Sequence, residues 1–239
     1  MSRSPTLACA VLVAAASLAP LAHAEVSSTI TLTSDYDFRG FTQTAQDPAL
    51  QASLDWSADS GLYVGAWASN VDFGPGTDSD IELDLYAGYN IEVTDELSYD
   101  IGGVYYTYFS DGDDVDFPEI YAAVNYKDFT GKLWYSWDFG NTSESAWYLE
   151  ANYSIPLPQD FSIALHAGYS GGDYWDDPSF GFEEYFDYSI GVAKTLGNFE
   201  LMLKWVDGSD FRSANNTPGD VFSSDSRAIF SIATSLPWQ

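Results

Sequence analysis

Beyond residue 24 this sequence has no apolar run approaching the roughly 20 residues that a membrane-spanning helix requires, so any span must be made of strands. It has one cysteine, Cys9, and two histidines in 239 residues. That poverty excludes a disulfide framework and makes a zinc centre built from Cys and His implausible on ligand supply. Positive charge is equally scarce, with 8 basic residues against 36 acids and a formal charge of -28. Such a chain repels nucleic acid, and it carries no glycine-rich phosphate cradle. Only 18% of residues are charged while 17% are aromatic and 46% hydrophobic, which excludes a disordered acidic tail.

The N-terminus has the layout of a secretory signal: Arg3, an apolar stretch from Leu7 to Leu21, and Ala22-His23-Ala24 as a small-x-small cleavage site. The expected organisation is a signal peptide over 1–24 and one outer-membrane barrel domain over 25–239. Cleavage after Ala24 removes Cys9 and Arg3 but no acid, taking the charge from -28 to -29.

What is present is a period of two. "IELDLYAGYNIEV" sets Ile81, Leu83, Leu85, Ala87, Tyr89, Ile91 and Val93 on one face and Glu82, Asp84, Asn90 and Glu92 on the other. "ALQASLDWS" repeats the pattern. Twelve such segments are read, at 29–39, 49–57, 62–72, 80–91, 97–108, 118–127, 130–139, 146–155, 161–170, 185–194, 199–207 and 226–236. Their connections alternate, with short turns after even strands and mostly longer loops after odd ones. An even strand number with this asymmetry predicts an all-β fold, a transmembrane antiparallel up-and-down β-barrel of about 12 strands.

Charge placement supports the same fold. Leaving aside the third segment, Asp35, Asp37, Arg39, Asp55, Glu82, Asp84, Asp100, Glu119, Lys132, Asp138, Glu150, Asp187, Glu200, Lys204 and Arg227 all fall opposite the apolar face of their segment. An Arg or Lys on a lipid face near mid-membrane costs about 2–4 kcal/mol, so a barrel enforces this parity, whereas a soluble sandwich does not. "SDYDFRGFTQ", at 34–43, is accordingly read as lumen charge alternating with lipid-facing Tyr36 and Phe38, and Arg39 is expected to neutralise an acidic cluster of Asp35, Asp37 and the neighbouring-strand Asp55. Aromatics near strand ends form two expected girdles: Tyr36, Phe38, Trp137, Phe139, Trp147, Tyr169, Phe186, Tyr188 and Trp205 towards the long loops, and Trp56, Tyr99, Tyr126, Tyr153, Phe161 and Phe199 towards the short turns.

The blocks "SDYDFRGFTQT", "GLYVGAWASNVDF", "DIELDLYAGYNIEV", "LSYDIGGVYYTYF", "PEIYAAVNY" and "RAIFSIATSL" resemble the proteobacterial TorF-type porin family over essentially the whole mature chain. The resemblance implies an outer-membrane pore-forming barrel. One departure is the end of the chain: barrels of this kind usually finish on an aromatic, whereas here Leu236 precedes Pro237-Trp238-Gln239, displacing to Trp238 the signal read by the barrel-assembly machinery.

The expected function is a passive channel for small hydrophilic solutes or cations. Its pore-lining candidates are Asp35, Asp37, Arg39, Asp55, Glu82, Asp84, Asp100, Glu119, Asp138, Glu150, Asp187 and Arg227. Eleven of the fifteen inward charges are acidic, a net of -7, and acidic linings favour cations. Tyr86, Tyr106, Tyr108, Tyr121, Trp134 and Tyr148 share the inward parity and should narrow the passage. Two rivals stand beside this reading. A closed structural or adhesive barrel would act through its loops at 171–185 and 207–225, which could also plug the mouth. A barrel hydrolase would use His166, but Ser162 and Ser170 lie roughly 13 Å along the strand from it, too far for a triad. No catalytic residue, cofactor or metal site is assigned. "DGDDVD" at 111–116 and "DYWDDP" at 173–178 lack the layout of a calcium loop and read as solvated acidic loops, although divalent bridging to lipopolysaccharide phosphates is open to them. Lipid and lipopolysaccharide are the expected surroundings, and nothing in the sequence specifies an oligomeric state.

Overall fold

The computed structural model describes residues 24–74, 79–109, 115–177, 183–209 and 221–238. The signal-peptide reading for residues 1–23 and most of "DGDDVD" lie outside the described residues. Twelve long strands form a closed antiparallel barrel: β1 (Ala24–Thr33), β4 (Ala49–Ala58), β5 (Leu62–Asn70), β6 (Ile81–Thr94), β7 (Leu97–Phe109), β8 (Phe117–Tyr126), β9 (Phe129–Ser136), β10 (Ala146–Leu157), β11 (Phe161–Gly171), β12 (Tyr185–Leu196), β13 (Phe199–Gly208) and β14 (Arg227–Leu236). Each wall strand pairs with its sequence neighbour. The seam joins β1 to β14, with Ser28 opposite Leu236 and Thr33 opposite Ser231. Closure leaves no unpaired strand edge, as a spanning sheet in lipid requires.

The pleat sorts the side chains as the alternation demands. Leu54 and Leu203 on the outer wall are 60% and 58% exposed, while Tyr148 and Val206 on the inner wall are 2% and 1% exposed. An apolar outer band alternating with an enclosed polar interior is the membrane-barrel arrangement. Most of the expected girdle is on that outer surface, including Trp137, Tyr169, Phe186, Tyr188 and Trp205 at one end and Tyr99, Tyr126, Tyr153, Phe161 and Phe199 at the other. Trp238 joins the second group: its ring meets that of Phe199 at 6.3 Å, and its Nε1–H donates to Thr234 Oγ1 at 3.0 Å.

The first predicted strand is corrected. The wall strand runs over Ala24–Thr33 rather than 29–39, and at Ser34 the chain turns into the barrel. There β2 (Asp37–Phe38) and β3 (Phe41–Thr42) form a small hairpin separate from the wall sheet. Its two-residue tip is Arg39-Gly40, with φ of 50° and 92°. Positive φ at both central positions matches the twist of a tight hairpin and makes glycine at position 40 the fitting residue. A β-carbon at Gly40 would also stand 2.5 Å from Asp187 Cβ. Tyr36 and Phe38 are therefore lumen residues, not lipid-facing ones. Phe139 is corrected likewise: β9 ends at Ser136, and Phe139 turns inward and is 8% exposed.

Candidate functional site

The lumen is occupied by the hairpin, and ionic and polar contacts bind it to the wall on several sides. Arg39 at the tip donates from Nη1 and Nη2 to both carboxylate oxygens of Glu119 on β8, at 2.9 and 2.6 Å. Its guanidinium also lies 4.6 Å from the Tyr148 ring centre and 4.7 Å from that of Phe38. Two-point geometry with ring faces on either side is what a planar guanidinium satisfies and a lysine does not. Arg227 on β14 donates through Nε to Asp35, through Nη2 to Asp37 at 2.9 Å, and through Nη1 to the Gly40 carbonyl at 3.1 Å. Lys204 on β13 completes the pairing of Asp37 at 2.8 Å. On the opposite side, Tyr36 and Tyr108 donate to Glu82 Oε1 on β6 at 3.3 and 3.2 Å.

The hairpin is also held from within. Thr42 and Thr44 donate their hydroxyls to Asp35 Oδ1, and the Tyr36 amide donates to Thr44 Oγ1 at 3.1 Å. The Thr42 amide donates to the Ser223 carbonyl at 3.0 Å, joining the hairpin to the final long loop. These threonines carried no signal in the sequence, because their partner is created only by the inward fold. The Arg39-Gly40 tip between Phe38 and Phe41 did carry one: a glycine-containing pair between apolar residues reads as a hairpin turn.

The predicted lumen residues thus separate into groups. Asp35, Asp37 and Arg39 are inside the barrel but on the hairpin rather than the wall, and Arg39 pairs with Glu119 instead of Asp55. Glu82, Glu119, Asp187 and Arg227 surround the hairpin, and all are buried. Asp55 accepts from Tyr86 and Ser53, and Asp100 accepts from Tyr63 at 2.8 Å. Asp138 is corrected: it lies past the end of β9, where Oδ1 accepts from the Ser143 amide at 2.6 Å, and it belongs to a loop. Tyr63, Asn152 and Gln43 were not singled out in the sequence, although all three have inward roles here.

Charge is unevenly distributed around the wall. Asp55, Glu82, Asp84 and Asp100 stand on β4, β6 and β7, and none forms an ion pair among the described residues. Glu82 and Asp84 are buried, and their carboxyl groups face each other, with no other partner for Glu82 Oε2 and Asp84 Oδ1 among the described residues. The inward bases stand on the other half of the wall: Lys132 on β9, Lys204 on β13 and Arg227 on β14. Lys132 sits over the rings of Tyr121 and Trp134, 3.7 Å from each centre.

Two spaces flank the hairpin. A chamber of about 560 Å³ extends from Asp128, in the short turn between β8 and β9, up to Asp37 and Arg39. Along its wall His166 Nε2 contacts Asp187 Oδ1 at 2.8 Å and Nδ1 contacts Asn152 Oδ1 at 2.7 Å, while Asn152 donates to Glu150 Oε2 at 2.9 Å. Carboxylate and amide oxygens therefore face both ring nitrogens, and the Tyr148 hydroxyl lies 3.0 Å from Nε2. A second space of about 340 Å³ lies on the long-loop side, lined largely by aromatic rings. Residues of both long loops pack against it: Trp175, in the short helix α1 (Asp173–Asp176), is buried against Phe139 and Tyr185, and Phe222 packs on Phe41 at 6.1 Å. The remainder of those loops, 178–182 and 210–220, lies outside the described residues.

Among solved structures, the KdgM porin aligns with 90% of this chain and 99% of its own, at 8% identity and a TM-score of 0.51. A second structure, of the KdgM porin in complex with disordered oligogalacturonate, aligns with 89% of this chain and 99% of its own, at 9% identity and 0.51. The NanC porin aligns with 89% and 100%, at 11% identity and 0.51. At such identities the likeness is one of fold. No curated protein matches the sequence. The family described as a bacterial protein of unknown function (Gcw_chp) matches residues 17–236, and the chain belongs to that family.

Proposed function

We propose that this protein is a porin-like channel of the Gram-negative outer membrane, delivered by a signal peptide cleaved after Ala24. It passes small hydrophilic solutes passively, with a preference for cations. The apolar outer band, the porin-like fold and the sequence resemblance to TorF-type porins support the channel class. Lipid and lipopolysaccharide surround it, and the barrel-assembly machinery inserts it. The hairpin is its constriction.

One observation carries the cation preference. The bases Arg39, Lys204 and Arg227 are each bound to carboxylates and Lys132 lies over aromatic rings, whereas the half-buried Asp55 and Asp100 have no cationic partner among the described residues. Fixed negative charge in a narrow wet passage attracts cations and excludes anions.

The test is single-channel recording of the refolded chain under a KCl gradient, beside an Asp55→Asn/Asp100→Asn variant. Discrete steps with a cation-selective reversal potential that moves towards zero in the variant are expected. Anion selectivity would overturn the charge assignment. Silence from folded protein would select instead a closed barrel acting through its loops, a reading that the lumen-filling hairpin also accommodates.

A further inference from the structure

Among the described bases, Lys132 alone forms no ion pair. Arg39, Lys204 and Arg227 hold carboxylates in the lumen, and Lys127 and Lys194 face Glu96 and Asp160 at the short-turn end. Lys132 is nonetheless flanked by acids. Strand pairing sets Asp100 on β7, Ala123 on β8, Lys132 on β9 and Glu150 on β10 side by side in one inward-facing row. With one base between two acids, this stretch of wall carries a single net negative charge.

Neighbouring contacts keep the ammonium off both carboxylates. Asp100 accepts from the Tyr63 hydroxyl at 2.8 Å, and Glu150 accepts from Trp134 Nε1–H at 2.7 Å and from the Asn152 amide group at 2.9 Å. The rings of Tyr121 and Trp134 meet at 56° with their centres 4.7 Å apart, and Lys132 Nζ fills the notch, 3.7 Å from each. Tyr121 lies flat against the wall because the residue opposite it is Gly102, where a β-carbon would strike the phenol. Ring faces attract an ammonium without neutralising it. Lys132 is half-buried rather than sealed, and Trp134 and Glu150 beside it line the lower chamber. Its charge therefore acts on ions that cross this part of the lumen.

A fixed charge acts on a divalent ion with twice the energy it exerts on a monovalent one. Two neighbouring acids by themselves favour Ca²⁺ or Mg²⁺, hard ions that gather carboxylate oxygens. An ammonium between them halves the net charge of the row and repels the divalent ion more. Resting on the channel reading above, we propose that Lys132 makes this a passage for monovalent cations, by denying divalent ions the acidic row of Asp100 and Glu150. The ring notch serves that role: it holds the ammonium in the row while leaving both carboxylates free of it.

Bi-ionic reversal potentials, with K⁺ on one side of a planar bilayer and Ca²⁺ on the other, test this on the refolded chain. Wild type should prefer K⁺. Lys132→Met, which keeps an unbranched side chain and removes its charge, should raise the Ca²⁺-to-K⁺ permeability ratio by roughly three- to tenfold. Lys132→Gln is run beside it as a second neutral variant, and folding of each is shown by heat-modifiable electrophoretic mobility. Lys132→Arg should keep the wild-type ratio. Lys132→Met/Asp100→Asn should return towards it, because the row again carries one net negative charge; a merely structural role for Lys132 would not be rescued in this way. A wild type that prefers Ca²⁺, a ratio unmoved by the neutral variants or moved equally by Arg, or a failed Asp100→Asn rescue overturns the role of Lys132 and leaves the channel standing. Folded protein that conducts in none of these forms overturns the channel reading, and the role of Lys132 with it.

Discussion

Arg39 and Glu119, 80 positions apart, meet inside the barrel through two parallel hydrogen bonds of 2.9 and 2.6 Å, with their side chains 9% and 0% exposed. Removing one partner leaves the other as a confined, unpaired charge. Arg39→Ala should therefore lower stability by about 3–5 kcal/mol, seen as a lower urea midpoint and a reduced folded yield. Arg39→Ala/Glu119→Ala should recover part of that loss. The single variant should alter yield more than conductance; normal yield with transformed selectivity would instead make Arg39 a selectivity residue.

Gly40 combines a φ of 92° with a virtual β-carbon only 2.5 Å from Asp187 Cβ. Gly40→Ala should cost about 1–3 kcal/mol and push the hairpin tip away from β12. Thermal unfolding measures the cost, and an unchanged melting point would mean that the tip does not rest against Asp187.

Replacing residues 35–44 with a flexible glycine-serine linker removes the hairpin while sparing the wall. Conductance should rise, by roughly twofold or more, because twelve strands enclose a lumen that side chains otherwise fill. Unchanged step size would show that the constriction lies elsewhere.

Leu203, at the middle of β13, is 58% exposed on the outer face, and Met202 beside it lines the inner chamber. Leu203→Arg should cost about 2–4 kcal/mol in a bilayer, and Met202→Arg clearly less. Equal costs, measured by reversible folding into vesicles, would contradict the assignment of the outer face to lipid.

The alternating parity of β4 to β13, the even strand number and the alternation of short and long connections were all legible in the chain. A strand's period of two fixes which side chains share a face, and lipid penalises any charge placed on the wrong one. That is why Glu82, Asp84, Glu119 and Asp187 could be assigned inward from local pattern alone. Only the tertiary structure decided the fate of residues 34–48. "DYDFR" alternates identically whether its aromatics meet lipid or a ring-lined lumen, so periodicity could not distinguish wall from hairpin. The deciding partners stand far away in sequence: Glu119 is 80 residues from Arg39, Lys204 is 167 from Asp37, and Arg227 is 192 from Asp35. Barrel closure brings these charges around one lumen, and the exchange of solvent for paired counter-charges holds the segment inside.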